Sequence, residues 1–180
     1  MDRLDKFLEL PIAKMLSERD IKALGEMGFF TAPASTKYHG NYEGGLFDHS
    51  YEVMTALCDL TRNNRLQWVR EESPYIIGMF HDLCKTDSYL IDNTEPYTVG
   101  EPTRYRYNTD TLLKGHGDKS VMLLSNFMSL TMEEILCIRY HMGAFTEKEE
   151  WNDYTRAIHH CPNVLWTHHA DMIASHVYNI

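Results

Sequence analysis

Met79-Phe80-His81-Asp82-Leu83-Cys84-Lys85 sets a histidine directly against an aspartate at the end of an apolar stretch, Tyr75, Ile76, Ile77, Met79 and Phe80. A helix end of this kind normally goes into the core. Two adjacent metal-binding side chains are out of place there unless other groups meet them. The chain supplies such groups: His49 upstream, and His116, His141 and Asp171 downstream, each in or beside an apolar helical pattern.

Working outward, Ser73-Pro74 is a strong start signal for the helix that carries this stretch, which the spacing extends to His81-Asp82. Upstream, a helix from Leu46 aligns Val53, Met54, Leu57 and Leu60, puts His49 on the same face one turn earlier, and ends at Asn63-Asn64. Before it, Phe29 to Gly45 reads as loop. Residues 1 to about 28 read as one or two short helices, with Ser17 as a cap and Gly28 as a stop. Downstream, Ser88-Tyr89-Leu90-Ile91 and Thr103-Arg104-Tyr105-Arg106-Tyr107 predict a small β-hairpin with a long, mobile tip through Pro96 and Tyr97. Gly115-His116-Gly117-Asp118 leads into a helix with Val121, Leu124, Phe127 and Met128. Thr131 to Glu134 is a capping box for a helix running through His141 to Gly143. A short helix over Asp153 to His159 and a last one opened by Pro162, with Leu165, His168, Asp171 and Ser175 on one side, complete the chain. The expected architecture is mostly α, a compact helical bundle with one hairpin inserted. Residues 1–45 form helices and loop packed on a single globular unit at 46–180.

With 180 residues, 43% hydrophobic and 24% charged, the composition is that of a globular domain. A formal net charge of -9 argues against general electrostatic attachment to nucleic acid. Cys58, Cys84, Cys137 and Cys161 form no Cys-x-x-Cys pair, and three sit in apolar helical patterns, so core thiols in a reducing compartment are expected. No run reaches the roughly 18 apolar residues of a membrane span, and the start has no signal-peptide character. A cytoplasmic protein is expected.

Imidazole and carboxylate ligands suit divalent transition ions: manganese, iron, cobalt, nickel or zinc, and magnesium more weakly. Two such ions need a bridging ligand, which a carboxylate provides, and together they activate a hydroxide and neutralise phosphoryl oxygens. His39, His159, His160, His169 and His176 lack a supporting pattern, and His168 is expected to bond a neighbouring helix.

The ordered blocks Gly45-Leu46-Phe47-Asp48-His49-Ser50, Phe80-His81-Asp82-Leu83-Cys84-Lys85, Gly115-His116-Gly117, Arg139-Tyr140-His141-Met142-Gly143 and His169-Ala170-Asp171 resemble the HD-domain superfamily of metal-dependent phosphohydrolases. The resemblance runs from about Gly44 to Ser175. It implies a helical bundle around the metals, with His49, His81, Asp82 and Asp171 holding one ion and Asp82 bridging to a second held by His116 and His141. It implies that Lys85 contacts phosphate, and that a metal-bound hydroxide cleaves a phosphoester or phosphoanhydride with Asp82 and Lys85 as catalytic residues.

The expected substrate is a nucleotide or similar small phosphate, with Arg104, Tyr105 and Arg106 of the hairpin beside Lys85 as candidate contacts. The acidic total places nucleic acid second, as in a single-strand 3'-5' nuclease of the same superfamily. A di-iron oxygenase and a non-catalytic nucleotide sensor are further alternatives. No membrane partner is expected, and a homo-oligomer is compatible with the sequence.

Overall fold

A computed structural model of the chain describes residues 2–94, 100–178 and 180, which leaves Pro96 and Tyr97 of the hairpin tip outside the described residues. Eight α-helices and one two-stranded antiparallel hairpin are present among the described residues. The mostly α reading with a small hairpin holds. No helix among them is long and apolar enough to cross a membrane.

α1 (Arg3–Leu8) and α2 (Glu18–Glu26) flank a 3-10 turn, Pro11–Met15. Ser17 caps α2 reciprocally with Asp20: Ser17 Oγ accepts the Asp20 N–H at 3.2 Å, and the Asp20 carboxylate accepts the Ser17 N–H at 3.1 Å. The loop that follows delivers the chain to α3 (Gly45–Asn64) through Gly44, at φ 83°. A Cβ on Gly44 would lie 2.1 Å from the Arg3 guanidinium carbon. The positive φ favours glycine here, and a Cβ would push the Arg3 guanidinium off Asp48 of α3, which it holds at 3.0 and 2.8 Å.

α4 (Ser73–Phe80) carries Pro74 in its first turn and crosses α3 at Gly78, where a Cβ would sit 2.3 Å from Met54 Cα. α3, α4, α6 (Met132–Arg139) and α8 (Asn163–Ile173) pack on one another around the core. α5 (Gly117–Leu124) lies against α6, and α7 (Trp151–His160) against α8. The hairpin pairs β1 (Tyr89–Ile91) with β2 (Tyr105–Tyr107), Tyr89 opposite Tyr107.

Several helix ends differ from the sequence reading. α4 stops at Phe80, before His81-Asp82, and α6 stops at Arg139, before His141. In each case the ring of the following histidine takes a main-chain carbonyl of the last turn, a local bond that competes with continued helix. The backbone leaves the helical well at Asp82 (φ -105°, ψ 20°) and at Tyr140 (φ -106°, ψ 17°). α5 stops at Leu124, so Phe127 and Met128 reach the core from the turn beyond it.

Five phenylalanines tie the first forty-odd residues to the centre. Phe29 lies 6.2 Å from Phe7, 5.3 Å from Phe30, 5.8 Å from Phe47 and 5.4 Å from Phe80, measured between ring centroids. Phe47 stands two residues before His49 and Phe80 one before His81, so this cluster sets the height of both rings. Edge-on aromatic contacts add to the burial energy.

At the other end, the Glu134 carboxylate is fully buried. It accepts Arg70 Nε and Nη2, each at 2.7 Å, Ser73 Oγ at 2.8 Å and the Thr131 N–H at 2.8 Å. These bonds hold the starts of α4 and α6 together.

Phe29→Ala is expected to lower the unfolding free energy by about 3–5 kcal/mol, read from denaturant melts. Burial opposes ionisation of Glu134, but the bonds from Arg70, Thr131 and Ser73 hold its pKa below the ordinary value. Its stabilisation is thus present above the ordinary glutamate pKa and is lost as pH falls through the depressed folded value. Glu134→Gln should be less stable near neutral pH and lose less of its stability on acidification than the native chain. Equal acid slopes for the two proteins would contradict this.

Candidate metal centre

Three buried histidine rings converge from three elements, and each is aimed by a bond on its Nδ1. His81 Nδ1 donates to Gly78 O at 2.9 Å, and His141 Nδ1 to Ile138 O at 2.7 Å. His49 Nδ1, from the first turn of α3, donates to Ile180 O at 2.9 Å. A carbonyl only accepts, so Nδ1 carries the hydrogen, and in the neutral form of each ring Nε2 presents its lone pair. Among the described residues, the buried atoms without a hydrogen-bond partner include His49 Nε2, His81 Nε2, His141 Nε2 and Asp82 Oδ1.

These atoms face carboxylates. Asp82 Oδ2 lies 3.7 Å from His49 Nε2 and 3.4 Å from His81 Nε2; Asp82 Oδ1 lies 3.4 Å from His141 Nε2 and 3.9 Å from His116 Nδ1. Asp171 Oδ1, from α8, lies 3.2 Å from His49 Nε2 and 4.0 Å from His81 Nε2. Lone pairs set against carboxylate oxygens in a dry interior call for a cation. Ligands about 2.0–2.1 Å from one ion stand roughly 3.0–3.4 Å apart, close to the separations here. The two oxygens of Asp82 face different sets: Oδ2 looks to His49 and His81, Oδ1 to His141 and His116. Three groups of candidate ligand atoms lie within 4.8 Å of one another: His49, His81 and Asp82; His81, His141 and Asp171; Asp82, Cys84 and His116. These groups could hold a metal ion.

The electrostatics keep both carboxylates of the cluster ionised. Burial opposes ionisation of Asp82, but Lys85, His81 and His141 hold its pKa well below the carboxylate range. The Lys85 ammonium sits 2.6 Å from Asp82 Oδ2; burial works against its charge, and Asp82 outweighs burial to raise its pKa. Burial also opposes ionisation of Asp171, which His49 and His81 keep low. His81 is lowered by burial.

A cavity of about 870 Å³ opens on Asp82, Lys85 and Asp171, with Lys37, Tyr38, His39 and Phe145 among its walls. A second, of about 380 Å³, opens on Cys84 and His116, under Tyr89 and Tyr107. His49, His81, Asp82, His141 and Asp171 therefore meet at one place, His116 stands half exposed at its edge, and Lys85 is inside it. Arg104, Tyr105 and Arg106, expected as substrate contacts, line neither cavity. The pairing register explains this: Tyr89 opposite Tyr107 is the end of the hairpin nearest the site, Tyr105 lies two residues farther out, and Arg104 and Arg106 alternate to the other face.

Two residues were not legible as site residues. His39 lies in the loop before α3, with its ring centroid 5.0 Å from that of His49. Burial, then His49, lowers its pKa to about 4, so it is neutral at pH 7. Cys84, read as a core thiol, places Sγ 3.3 Å from His116 Nδ1. Burial, then Asp82, pushes its pKa up to about 12. His168 takes the expected structural role: its Nδ1 donates to His141 O at 2.9 Å, across Gly143, where a Cβ would lie 2.5 Å from the His168 ring.

Comparison with models of protein families, with curated protein sequences and with solved structures finds no match for this chain. The class that fold and site define is a mostly helical protein with a buried cluster of His and Asp side chains that could hold a metal ion.

Added manganese or zinc should raise the unfolding temperature of the native chain, with about 2.7 kcal/mol gained when free ion is 100 times Kd. A chelator should reverse the rise. Asp82→Ala, which removes the carboxylate shared by both sets, should show little of it in the same thermal melts.

Proposed function

We propose that this chain is a metal-dependent phosphohydrolase of the HD-domain type, cleaving a phosphoester or phosphoanhydride bond in a nucleotide or similar small phosphate. One observation carries the reading: the Nε2 atoms of His49, His81 and His141 and Asp82 Oδ1 are buried without partners, and the two Asp82 oxygens divide between two ligand sets. His49, His81, Asp171 and Asp82 Oδ2 would hold one ion. His141, His116 and Asp82 Oδ1 would hold a second. When bound, such ions supply an acidified water and neutralise charge on phosphoryl oxygens.

The remaining roles belong to side chains along the larger cavity. Its volume of about 870 Å³ suits a mononucleotide-sized ligand. Lys85 brings a full positive charge to the wall beside Asp82, where it binds and orients a phosphate oxygen as a point charge. Lys37 adds a second cation on the same cavity. Tyr38, 79% exposed, and Phe145, 64% exposed, leave ring faces free at this cavity, where a base can stack for about 1–3 kcal/mol. His39, neutral and half-buried beside His49, is placed to hold or pass a proton at the cavity wall.

The test is release of phosphate or pyrophosphate from nucleoside mono- and triphosphates, cyclic nucleotides and short oligonucleotides, with manganese or zinc added. Turnover of a small nucleotide is expected, abolished in Asp82→Ala and lowered about a hundredfold in Lys85→Ala. Release from oligonucleotides alone would replace this reading with a single-strand nuclease. Dioxygen uptake without phosphate release would replace it with an oxygenase. Binding of nucleotide without turnover, in protein carrying metal, would replace it with a sensor.

A further inference from the structure

The half of the site around His116 has a donor that the His/Asp pattern does not include. Cys84 stands two residues after Asp82, on the 3-10 turn Leu83–Asp87, and its residue is 1% exposed. Both ends of its peptide are clamped: its N–H donates to Ser120 Oγ at 3.0 Å, and its carbonyl accepts Ser88 Oγ at 2.8 Å. Ser120 is itself fully buried on α5. The clamp holds the peptide that carries the thiol, and Sγ lies 3.3 Å from His116 Nδ1. Candidate ligand atoms of Asp82, Cys84 and His116 fall within 4.8 Å of one another. Asp82 Oδ1 in this group is buried without a partner, and one further buried unpartnered atom, His141 Nε2, faces it at 3.4 Å. The cavity of about 380 Å³ over Cys84 and His116 gives an ion a way in from solvent.

We propose that Cys84 is a ligand of the second ion, so that Asp82, Cys84, His116 and His141 form a mixed O/S/N site selective for thiophilic cations, zinc or ferrous iron, over magnesium and manganese. The inference rests on the metal reading of the cluster and adds the identity of the ion. The thiol proton leaves to solvent as the metal–sulfur bond forms, so binding consumes no oxidant or reductant. A thiolate in the donor set shifts preference toward softer ions, whereas the imidazole and carboxylate set around His49 and Asp171 has no such bias. The two halves should therefore fill with different selectivity.

The test is a cobalt titration of the metal-free native chain, following the thiolate-to-cobalt charge-transfer absorption in the near ultraviolet together with metal bound per chain. The band is expected to grow with one of two ions. It should be absent in Cys84→Ser, which should keep the other ion and bind the second at least about tenfold more weakly. A Cys58→Ser, Cys137→Ser, Cys161→Ser triple variant should retain the band, which assigns it to Cys84. Should Cys84→Ser fail to fold, zinc X-ray absorption of the native chain and of the triple variant still decides: a sulfur neighbour at about 2.3 Å is expected. Ions bound with no charge-transfer band, or a band that survives in Cys84→Ser, would overturn the proposal and leave the metal centre intact. Binding of no ion at all would overturn the metal centre itself, so the two failures read differently.

Discussion

A histidine ring folded back on the end of its own helix is the interaction on which the site depends. α4 and α6 each stop just short of a histidine, and His81 and His141 each donate Nδ1–H to the carbonyl three residues earlier. That one bond satisfies a carbonyl in the last turn of the helix. It also fixes the tautomer and turns Nε2 inward. The bend at Asp82, with φ -105° and ψ 20°, then sends the carboxylate between the two rings.

Keeping these ends in register falls to close packing. Gly78 lets α4 lie directly on α3 at Met54, and its carbonyl is the one His81 uses. Gly117 does the same for α5, where a Cβ would lie 2.1 Å from Arg139 O. Gly143, at φ 57°, leaves room for the His168 ring that holds the His141 carbonyl. The phenylalanine cluster sits behind His49 and His81 and resists their retreat from the centre. Side chains of a dense interior are bistable rather than compliant, so rings held this way keep their aim.

The centre concentrates negative charge and lone pairs in a dry volume, and Lys85 is the positive group within direct reach of Asp82. This arrangement divides around the two Asp82 oxygens. One side opens to the larger cavity with Lys85, Lys37, Tyr38 and Phe145 and offers cations and ring faces to a ligand. The other opens to the smaller cavity and offers Cys84 and His116. On the functional reading proposed above, the first side addresses substrate and the second addresses the choice of ion.

The sequence by itself determined the helical starts and the presence of the cluster. Ser17, Pro74 and Thr131 act locally, through bonds or a fixed φ within one turn, so they are readable without a fold. Amphipathic spacing put His49 and Asp171 on buried faces, because burial there follows the period of the helix. The ends of α4 and α6 were not readable, since a ring-to-carbonyl bond competes with the next helical bond by a small margin that packing decides. His39 lies in a stretch with no period. Cys84 looks like any core thiol until Ser120 and His116, thirty-odd residues away in the chain, come beside it. Strand alternation told which hairpin residues share a face but not that the Tyr89–Tyr107 end lies over a cavity. Only the tertiary structure decided which Asp82 oxygen faces which ligands, because that depends on four separate elements meeting at one point.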